Sequence, residues 1–336
     1  MIAKEVSVVT QESDTLLNAG KLSLKIDPAA LLKGKLRIGH LRLENGGFYI
    51  INESDSTTNI DRVFGSVGEG GGSNVATYPI YPDTKAFELS LSKFRFSMEN
   101  PYSSSYHRDS GINFSNLMVY DIELEVKDIT LSGDSIMASV KNLSFKEKSG
   151  YKIDKISSKV LLAPGGVWMK EFSLQDGFST LNTPVFNMTY SAPNAFSNFI
   201  NDVSFDANFI ESTVSFKTIA AFVPTLSNNN LIINLDGRVE GPVSSLRTKG
   251  LVVTSESGLT HLELDARISG LPNTNETMLF ADIKNSTTTT NDLAFIISSI
   301  KLTYIQINYH HCYIIHVNSI LHINSSKIIN VKLKND

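Results

Sequence analysis

One pattern recurs in this chain: two apolar residues at alternate positions, two polar residues, and two more apolar residues at alternate positions. Alternation with a period of two is typical of a half-buried β-strand. In a flat strand the polar pair would turn the second apolar pair to the opposite face, so we expect a β-bulge or bend at each polar pair. The occurrences are Leu36-Ile38-Leu41-Leu43, Leu89-Leu91-Phe94-Phe96, Ile112-Phe114-Leu117-Val119, Leu124-Val126-Ile129-Leu131, Ala138-Val140-Leu143-Phe145 and Val167-Met169-Phe172-Leu174.

The repetition predicts a mainly β fold: an elongated, strongly curved antiparallel sheet, or β-groove, with a continuous apolar concave face. The repeats start at irregular intervals, so a closed sandwich of ordinary bulged strands is the alternative. Only short helices are expected. One runs from Pro28 to Lys33 and ends at Gly34, and two lie in an insert near residues 194–224.

Composition divides the chain into four segments. Residues 1–64 form an N-terminal β unit, 65–84 a glycine-rich loop or linker, and 85–297 the β-groove region. Residues 298–336 are different: nine are Ile, none is Gly, Ala, Glu, Phe or Pro, and their net charge is +3 against −7 for the rest. We interpret this tail as a frameshift product. Its His311, Cys312, His316 and His322 could be imagined as metal ligands, but their spacing fits no closed zinc pattern.

Several function classes are disfavoured by what the sequence lacks. A formal charge of −4 is unlike that of a nucleic-acid-binding protein, which carries a basic face. The single cysteine allows no intramolecular disulfide. No signal peptide precedes residue 9, no run reaches 18 apolar residues, and nucleotide, nucleophile-elbow and zinc-protease motifs are missing. We therefore expect a protein that is not an enzyme and that uses no cofactor.

Several short segments, in this order and spacing, resemble the translocation and assembly module (TamB) family of the AsmA-like group, in its Bacteroidetes-like form. The resemblance covers about residues 5–297. The segments are Ser13-Asp14-Thr15-Leu16-Leu17-Asn18-Ala19, Leu31-Leu32-Lys33-Gly34-Lys35-Leu36, Ile38-Gly39-His40-Leu41-Arg42-Leu43-Glu44, Gly133-Asp134-Ser135-Ile136, Lys146-Glu147-Lys148-Ser149-Gly150-Tyr151, Phe199-Ile200-Asn201-Asp202-Val203, Ile219-Ala220-Ala221-Phe222-Val223-Pro224 and Gly270-Leu271-Pro272.

The resemblance implies a periplasmic protein of the cell envelope, anchored in the inner membrane by an N-terminal helix. Such proteins carry phospholipid along an apolar β-groove or assist outer-membrane protein assembly with a β-barrel partner. This chain lacks the anchor and the C-terminal domain, so we expect a truncated fragment of a longer parent. The predicted partners are phospholipid acyl chains and, for the parent, the β-barrel assembly partner.

The residues predicted to line the lipid groove come from the repeats, because a trough for acyl chains must be apolar without a polar step. They are Leu89, Leu91, Phe94, Phe96, Leu124, Val126, Val167, Met169, Phe172 and Leu174. An inward apolar face has the same pattern whether lipid or side chains fill it. The alternative function is therefore a structural or adhesive surface β-sandwich protein without a lipid groove.

Overall fold

The computed structural model describes residues 1–10, 14–32, 37–54, 57–60, 86–103, 106–107, 111–191, 195, 199–222, 224, 227, 230–256, 258–271, 278–284, 286–289, 302–307, 313–315, 320–323 and 327–333. The chain divides into two compact units, Met1–Ser157 and Ser158–Asp336. Strands make up 71% of the structure and helices 8%, which confirms the predicted mainly β class with few short helices.

Unit 1 is a sheet in which each strand pairs with its neighbour in sequence. All pairs are antiparallel except β3 and β4, which are parallel. The elements are β1 (Ile2–Val9), β2 (Thr15–Ile26), α1 (Pro28–Leu31), β3 (Ile38–Ile51), β4 (Phe87–Glu99), β5 (Asn116–Ser132) and β6 (Ser135–Glu147). β7 (Lys152–Ala163) contains the division between the units.

The chain between β3 and β4 contains the predicted glycine-rich linker at residues 65–84, which lies outside the described residues. A parallel pair needs a long crossover connection, and this segment provides it. The strands on either side of the linker are hydrogen-bonded to each other, with Leu41 opposite Leu89 and Leu43 opposite Leu91. Residues before and after the linker therefore belong to one sheet.

Unit 2 is an antiparallel sheet in which β8 to β14 also pair in sequence order. The elements are β8 (Gly166–Gln175), β9 (Thr180–Thr189), α2 (Phe199–Asp202), β10 (Ser204–Ser215), α3 (Phe216–Phe222), β11 (Ile232–Pro242), β12 (Ser245–Ser255), β13 (His261–Ser269), β14 (Met278–Ile283), β15 (Ser286–Thr289), β16 (Leu302–Ile307), β17 (Tyr313–Ile315), β18 (Ile320–Ile323) and β19 (Lys327–Leu333). The unusual tail contributes β16 to β19, of which β19 pairs with β14 and β18 with β15.

Helices α1, α2 and α3 lie where short helices were predicted. α1 is a single turn started by Asp27, whose Oδ1 accepts hydrogen bonds from the N–H groups of Ala29 and Ala30 at 2.9 and 3.3 Å. Pro28 at its first position has no N–H group to leave unpaired. In the predicted insert, α2 and α3 flank β10 rather than form one helical segment.

The predicted bulges are present at the polar pairs. Lys93, Asp128 and Glu171 each follow the first polar residue of their repeat and have left-handed backbone, with φ of 50°, 54° and 53°. The pairing register shifts between Leu91 and Phe94, and again between Lys127 and Thr130. Left-handed backbone is uncommon for residues other than glycine, so each bulge is held by the surrounding sheet.

Two details of the repeat interpretation need correction. Ile112 and Phe114 lie before β5 in irregular structure and a turn, so that occurrence is not a bulged strand. Within β5 the strand bulges at Asp121, with φ of 53°, where the apolar sequence steps from Val119 to Ile122. This step lies between two occurrences of the repeat, residues 112–119 and 124–131, so the repeat pattern does not predict the bulge.

Bulge N–H groups are hydrogen-bonded to carboxylates on the neighbouring strand. A bulged residue takes its N–H out of the regular ladder, and a buried or crowded donor without a partner costs free energy. The pairs, donor first, are Lys93 N–H to Glu123 Oε1 at 2.9 Å, Glu211 N–H to Asp236 Oδ1 at 2.7 Å, and Gly250 N–H to Asp265 Oδ1 at 2.6 Å. The same device thus recurs in both units.

Buried hydroxyl groups satisfy carbonyl groups near the bulges of unit 2. Ser158 Oγ donates to the carbonyl of Lys170 at 3.0 Å, one residue before the left-handed Glu171. Ser212 Oγ, which is fully buried, follows the left-handed Glu211 and donates to the carbonyl of Ile210 at 3.1 Å. These polar residues therefore lie inside without an unpaired hydroxyl group.

The left-handed backbone of Lys93 gives a test of the bulge. We expect Lys93→Gly to leave the free energy of unfolding unchanged or raise it by up to about 1 kcal/mol, because glycine adopts positive φ without a Cβ clash. Lys93→Val should lower it by about 1–2 kcal/mol. Chemical denaturation measures both, with the exposed Arg95→Val on the same strand as control. Equal effects of valine at 93 and 95 would contradict the strained bulge.

Candidate functional site

The six groove residues predicted in unit 1 lie together on one face of the sheet. The register places Leu89 opposite Val126, and Leu91 opposite Leu124. Phe94 and Phe96 continue the same face beyond the bulge at Lys93, because the extra residue restores their orientation. Sequence reasoning therefore identified a real surface, which we call the unit 1 apolar face.

The unit 1 apolar face extends across five strands around a small buried cluster. Phe94 is 3% exposed and packs with four other buried residues: Ala19, Leu43, Val119 and Ile122. Partly buried side chains surround this cluster, namely Leu17, Leu22, Leu41, Phe48, Leu91, Phe96, Leu117, Leu124, Leu143 and Phe145. The rings of Phe48 and Phe96 are stacked with their centroids 6.3 Å apart. Most of the face is thus apolar but only half-buried.

The opposite face of the same strands is polar and carries ion pairs between neighbouring strands. Lys21 Nζ lies 3.1 Å from Glu44 Oε2, and this hydrogen bond lowers the pKa of the Glu44 carboxyl. Lys146 Nζ lies 3.0 Å from Asp121 Oδ2, and this hydrogen bond raises the pKa of Lys146. Surface ion pairs of this kind contribute little to stability. The two faces of the sheet therefore differ mainly in how they interact with water.

The four groove residues predicted in unit 2 also lie together, on what we call the unit 2 apolar face. Val167 is opposite Met188, Met169 is opposite Phe186, and Leu174 is opposite Leu181. All four side chains, including that of Phe172, are half-buried. Unlike the first face, this one is dominated by contacts between aromatic rings.

A row of phenylalanine rings crosses the unit 2 apolar face. The centroids of Phe172 and Phe186 are 5.1 Å apart and those of Phe186 and Phe205 are 5.9 Å apart. Phe199 of α2 packs edge-on against Phe205 at 5.6 Å, so the short helix covers one end of the row. Aromatic contacts of this geometry contribute roughly 0.5–1.5 kcal/mol each beyond their burial.

A buried polar network at the other end of β8 was not predicted. Asp176, which is 3% exposed, accepts hydrogen bonds from the N–H groups of Phe178 and Ser179 and, at 2.5 Å, from Thr218 Oγ1 of α3. Ser179 Oγ also accepts from the N–H of Ser215 at 2.9 Å. The network fixes α3 on the β8–β9 turn. An Asp before a Gly is an ordinary turn signal, so only the fold reveals its contact with Thr218.

Two small clefts lie beside β2 and β3. One of about 210 Å³ is lined by Lys25, Gly39, His40, Ala86, Phe87, Glu88 and Asp128. The other, of about 290 Å³, is lined by Met1, Ile2, Ser23, Leu24, Lys25, His40 and Arg42. His40 borders both, and its Nε2 lies 2.9 Å from Ser90 Oγ.

Within the described ranges, no group of three or more His, Cys, Asp and Glu side chains is arranged to hold a metal ion. The side chains of the histidines and cysteine in the tail lie outside the part whose side chains the structure describes. Among the described helices, none has the length and apolar character needed to cross a bilayer.

Comparison with known proteins adds no family or relative. No protein-family model matches the chain, and searches of curated proteins and of solved structures return no match. The site is therefore defined by its own geometry: two apolar faces, of which the unit 1 apolar face lies opposite a polar surface.

Phe94 tests the cluster at the centre of the unit 1 apolar face. We expect Phe94→Ala to lower the free energy of unfolding by about 3–5 kcal/mol, because a buried ring is removed and a cavity remains. Phe114→Ala is the control, since that ring is 54% exposed in the turn before β5. Its effect should stay within about 0.5 kcal/mol in chemical denaturation. Equal losses in both variants would show that Phe94 is not part of a packed cluster.

The hydrogen bonds of Asp265 predict that this residue contributes to the loss of stability at acid pH. Hydrogen bonds from Lys284 Nζ at 2.8 Å and from the N–H of Gly250 at 2.6 Å lower the pKa of the Asp265 carboxyl below its ordinary 3.8. A lowered pKa stabilises the fold above pH 3.8, and this stabilisation is lost as the pH falls through the lower, folded-state value.

Asp265→Asn should therefore flatten the fall of unfolding free energy below about pH 4. Denaturant titrations at a series of pH values measure this slope. Asp134→Asn, in the exposed β5–β6 turn, is the control and should follow the unsubstituted protein. An Asp265→Asn curve parallel to that of the unsubstituted protein would exclude the predicted linkage.

Proposed function

We propose that this protein is a non-enzymatic lipid-binding protein of the cell envelope, whose apolar sheet faces hold phospholipid acyl chains. The observation that carries this proposal is the run of half-buried apolar side chains from strand to strand on the unit 1 apolar face. An acyl chain laid on such a face gains about 0.8 kcal/mol for each CH₂ group removed from water. No specific recognition of one lipid is needed for this gain.

The distribution of polar groups supports the proposal. Ion pairs occupy the opposite face of unit 1, and the bulges keep the apolar side chains on one side without a polar step. In unit 2 the buried hydroxyl groups of Ser158 and Ser212 are bonded to carbonyl groups, so they offer no unpaired donor to an acyl chain. A chain-shaped apolar ligand fits these conditions better than a compact polar one.

The resemblance to the TamB family gives the proposal its biological setting. In that setting the chain is part of a longer periplasmic protein anchored in the inner membrane. It contributes to phospholipid transport between inner and outer membranes, or to outer-membrane protein assembly with a β-barrel partner. The physical part of the proposal, acyl-chain binding, can be tested on the chain as it stands.

The test is mass spectrometry of lipid extracted from the purified full chain, compared with a variant that places a charge on the unit 1 apolar face. We expect phospholipid in the unsubstituted protein and a loss on the order of tenfold in Leu124→Glu, because a carboxylate there desolvates on contact with an acyl chain. Leu124 is half-buried, which leaves room for its replacement to reach solvent.

Thr130→Glu is the matched control. Thr130 lies on the same strand as Leu124 and pairs with Met137, and as the neighbour of Ile129 it points to the face opposite the unit 1 apolar face. It adds the same charge and should retain the lipid. Absence of phospholipid from a folded, unsubstituted sample would overturn the proposal, as would equal lipid content in the two variants.

A further inference from the structure

The β7–β8 hairpin ends in an uncharged segment. Ten residues, 160–169, contain no Asp, Glu, Lys, Arg or His and lie between Lys159 and Lys170. They form the end of β7, a two-residue turn of Pro164 and Gly165, and the start of β8. We call this segment the hairpin tip. Polar turns are the rule at strand ends, so an apolar one indicates contact with something other than water.

Both faces of the hairpin tip are apolar and accessible. Leu161 and Leu162 are 36% and 39% exposed, and as consecutive strand residues they point to opposite faces. On β8, Val167 and Met169 belong to the unit 2 apolar face. The tip is thus continuous with the proposed lipid-binding face but is apolar on its other side as well.

Trp168, the chain's single tryptophan, lies on that other side. It alternates with Val167 and Met169, so its ring faces away from the unit 2 apolar face. A Cβ atom added to Gly166 would lie 2.8 Å from Trp168 Cη2, so the ring extends over Gly166 towards the turn. The end of β9 lies beside the turn, since the N–H of Tyr190 donates to the carbonyl of Gly165 at 3.0 Å.

We propose that the hairpin tip inserts into the interfacial region of a phospholipid bilayer, an inference that rests on the proposed lipid-binding function. A protein partner would cover one face of a hairpin, whereas a lipid interface surrounds both faces. Tryptophan is enriched at such interfaces, where its ring lies at the level of the headgroups. Insertion here would place the tip's end of the unit 2 apolar face against the lipid.

The charges at the border of the tip agree with this orientation. Lys159 and Lys170 are both exposed, and Lys159 Nζ is paired with Glu171 Oε1 at 2.5 Å. The balance at the border is therefore positive. Lysine side chains at the edge of an apolar segment extend towards phosphate groups, and basic residues are attracted to an anionic membrane surface.

The native tryptophan reports insertion directly. The full chain is mixed with vesicles of phosphatidylcholine and phosphatidylglycerol, with and without brominated acyl chains. We expect the Trp168 emission to shift to shorter wavelength and to be quenched by the brominated lipid, as for a ring at headgroup depth. An emission spectrum that vesicles leave unchanged and unquenched would overturn the proposal without any substitution.

The variant that tests the tip is Leu161→Ser combined with Leu162→Ser. We expect its partition into the same vesicles to fall about tenfold, because two exposed leucines no longer leave water. Phe178→Ser is the matched control: this ring is 54% exposed in the turn at the opposite end of β8 and should not affect partition. Equal losses of vesicle partition in both variants would indicate nonspecific hydrophobic binding and would overturn the assignment to the hairpin tip.

The same variants distinguish a failure of bilayer insertion by the hairpin tip from a failure of lipid binding on the apolar faces. The tip variant leaves the unit 1 apolar face unchanged and should keep the phospholipid bound there, whereas Leu124→Glu should lose that phospholipid while its Trp168 emission is still quenched by brominated vesicles. Self-association of the tip in the absence of lipid, measured by sedimentation with the same variants, would identify a protein partner and would also overturn the proposal.

Discussion

A flat strand keeps one apolar face only if its apolar and polar side chains alternate without interruption. In the strands of this protein that alternation is interrupted repeatedly. Each interruption is a pair of polar residues, and each would reverse the strand if the backbone stayed flat. The left-handed residues at Lys93, Asp128 and Glu171 cancel the reversal. Without them the apolar side chains of β4, β5 and β8 would be divided between the two faces of the sheet, because each strand would be reversed beyond its polar pair.

The backbone conformation is in turn supported by polar side chains that the apolar pattern does not specify. Carboxylates of the next strand accept hydrogen bonds from bulge N–H groups, as Glu123 does from Lys93 and Asp236 from Glu211. The charged residues of the polar face are thus more than a soluble surface. They hold the backbone in the shape that the apolar face requires.

Much of the fold could be predicted from alternation alone, and the failures have physical reasons. Six of the predicted groove residues lie on one face of unit 1 and four on one face of unit 2, because cross-strand pairing brings together residues with the same period. It wrongly assigned Ile112 and Phe114 to a strand, since apolar residues at alternate positions also occur in turns. It could not predict that Ser212 is fully buried, because its partner is a carbonyl freed by a bulge and not a residue with a pattern of its own.

Because a bulge corrects the facing within the strand that carries it, the apolar face of either unit is not tied to a fixed number of strands. Duplication or loss of one hairpin would remove two strands together with their bulges, and the remaining neighbours would still present apolar side chains to the same side. The parallel pair of β3 and β4 shows that a change from antiparallel to parallel pairing is also accommodated when the connecting segment is long. The bulged repeat is therefore a unit by which such a chain can change length in evolution without losing its continuous surface.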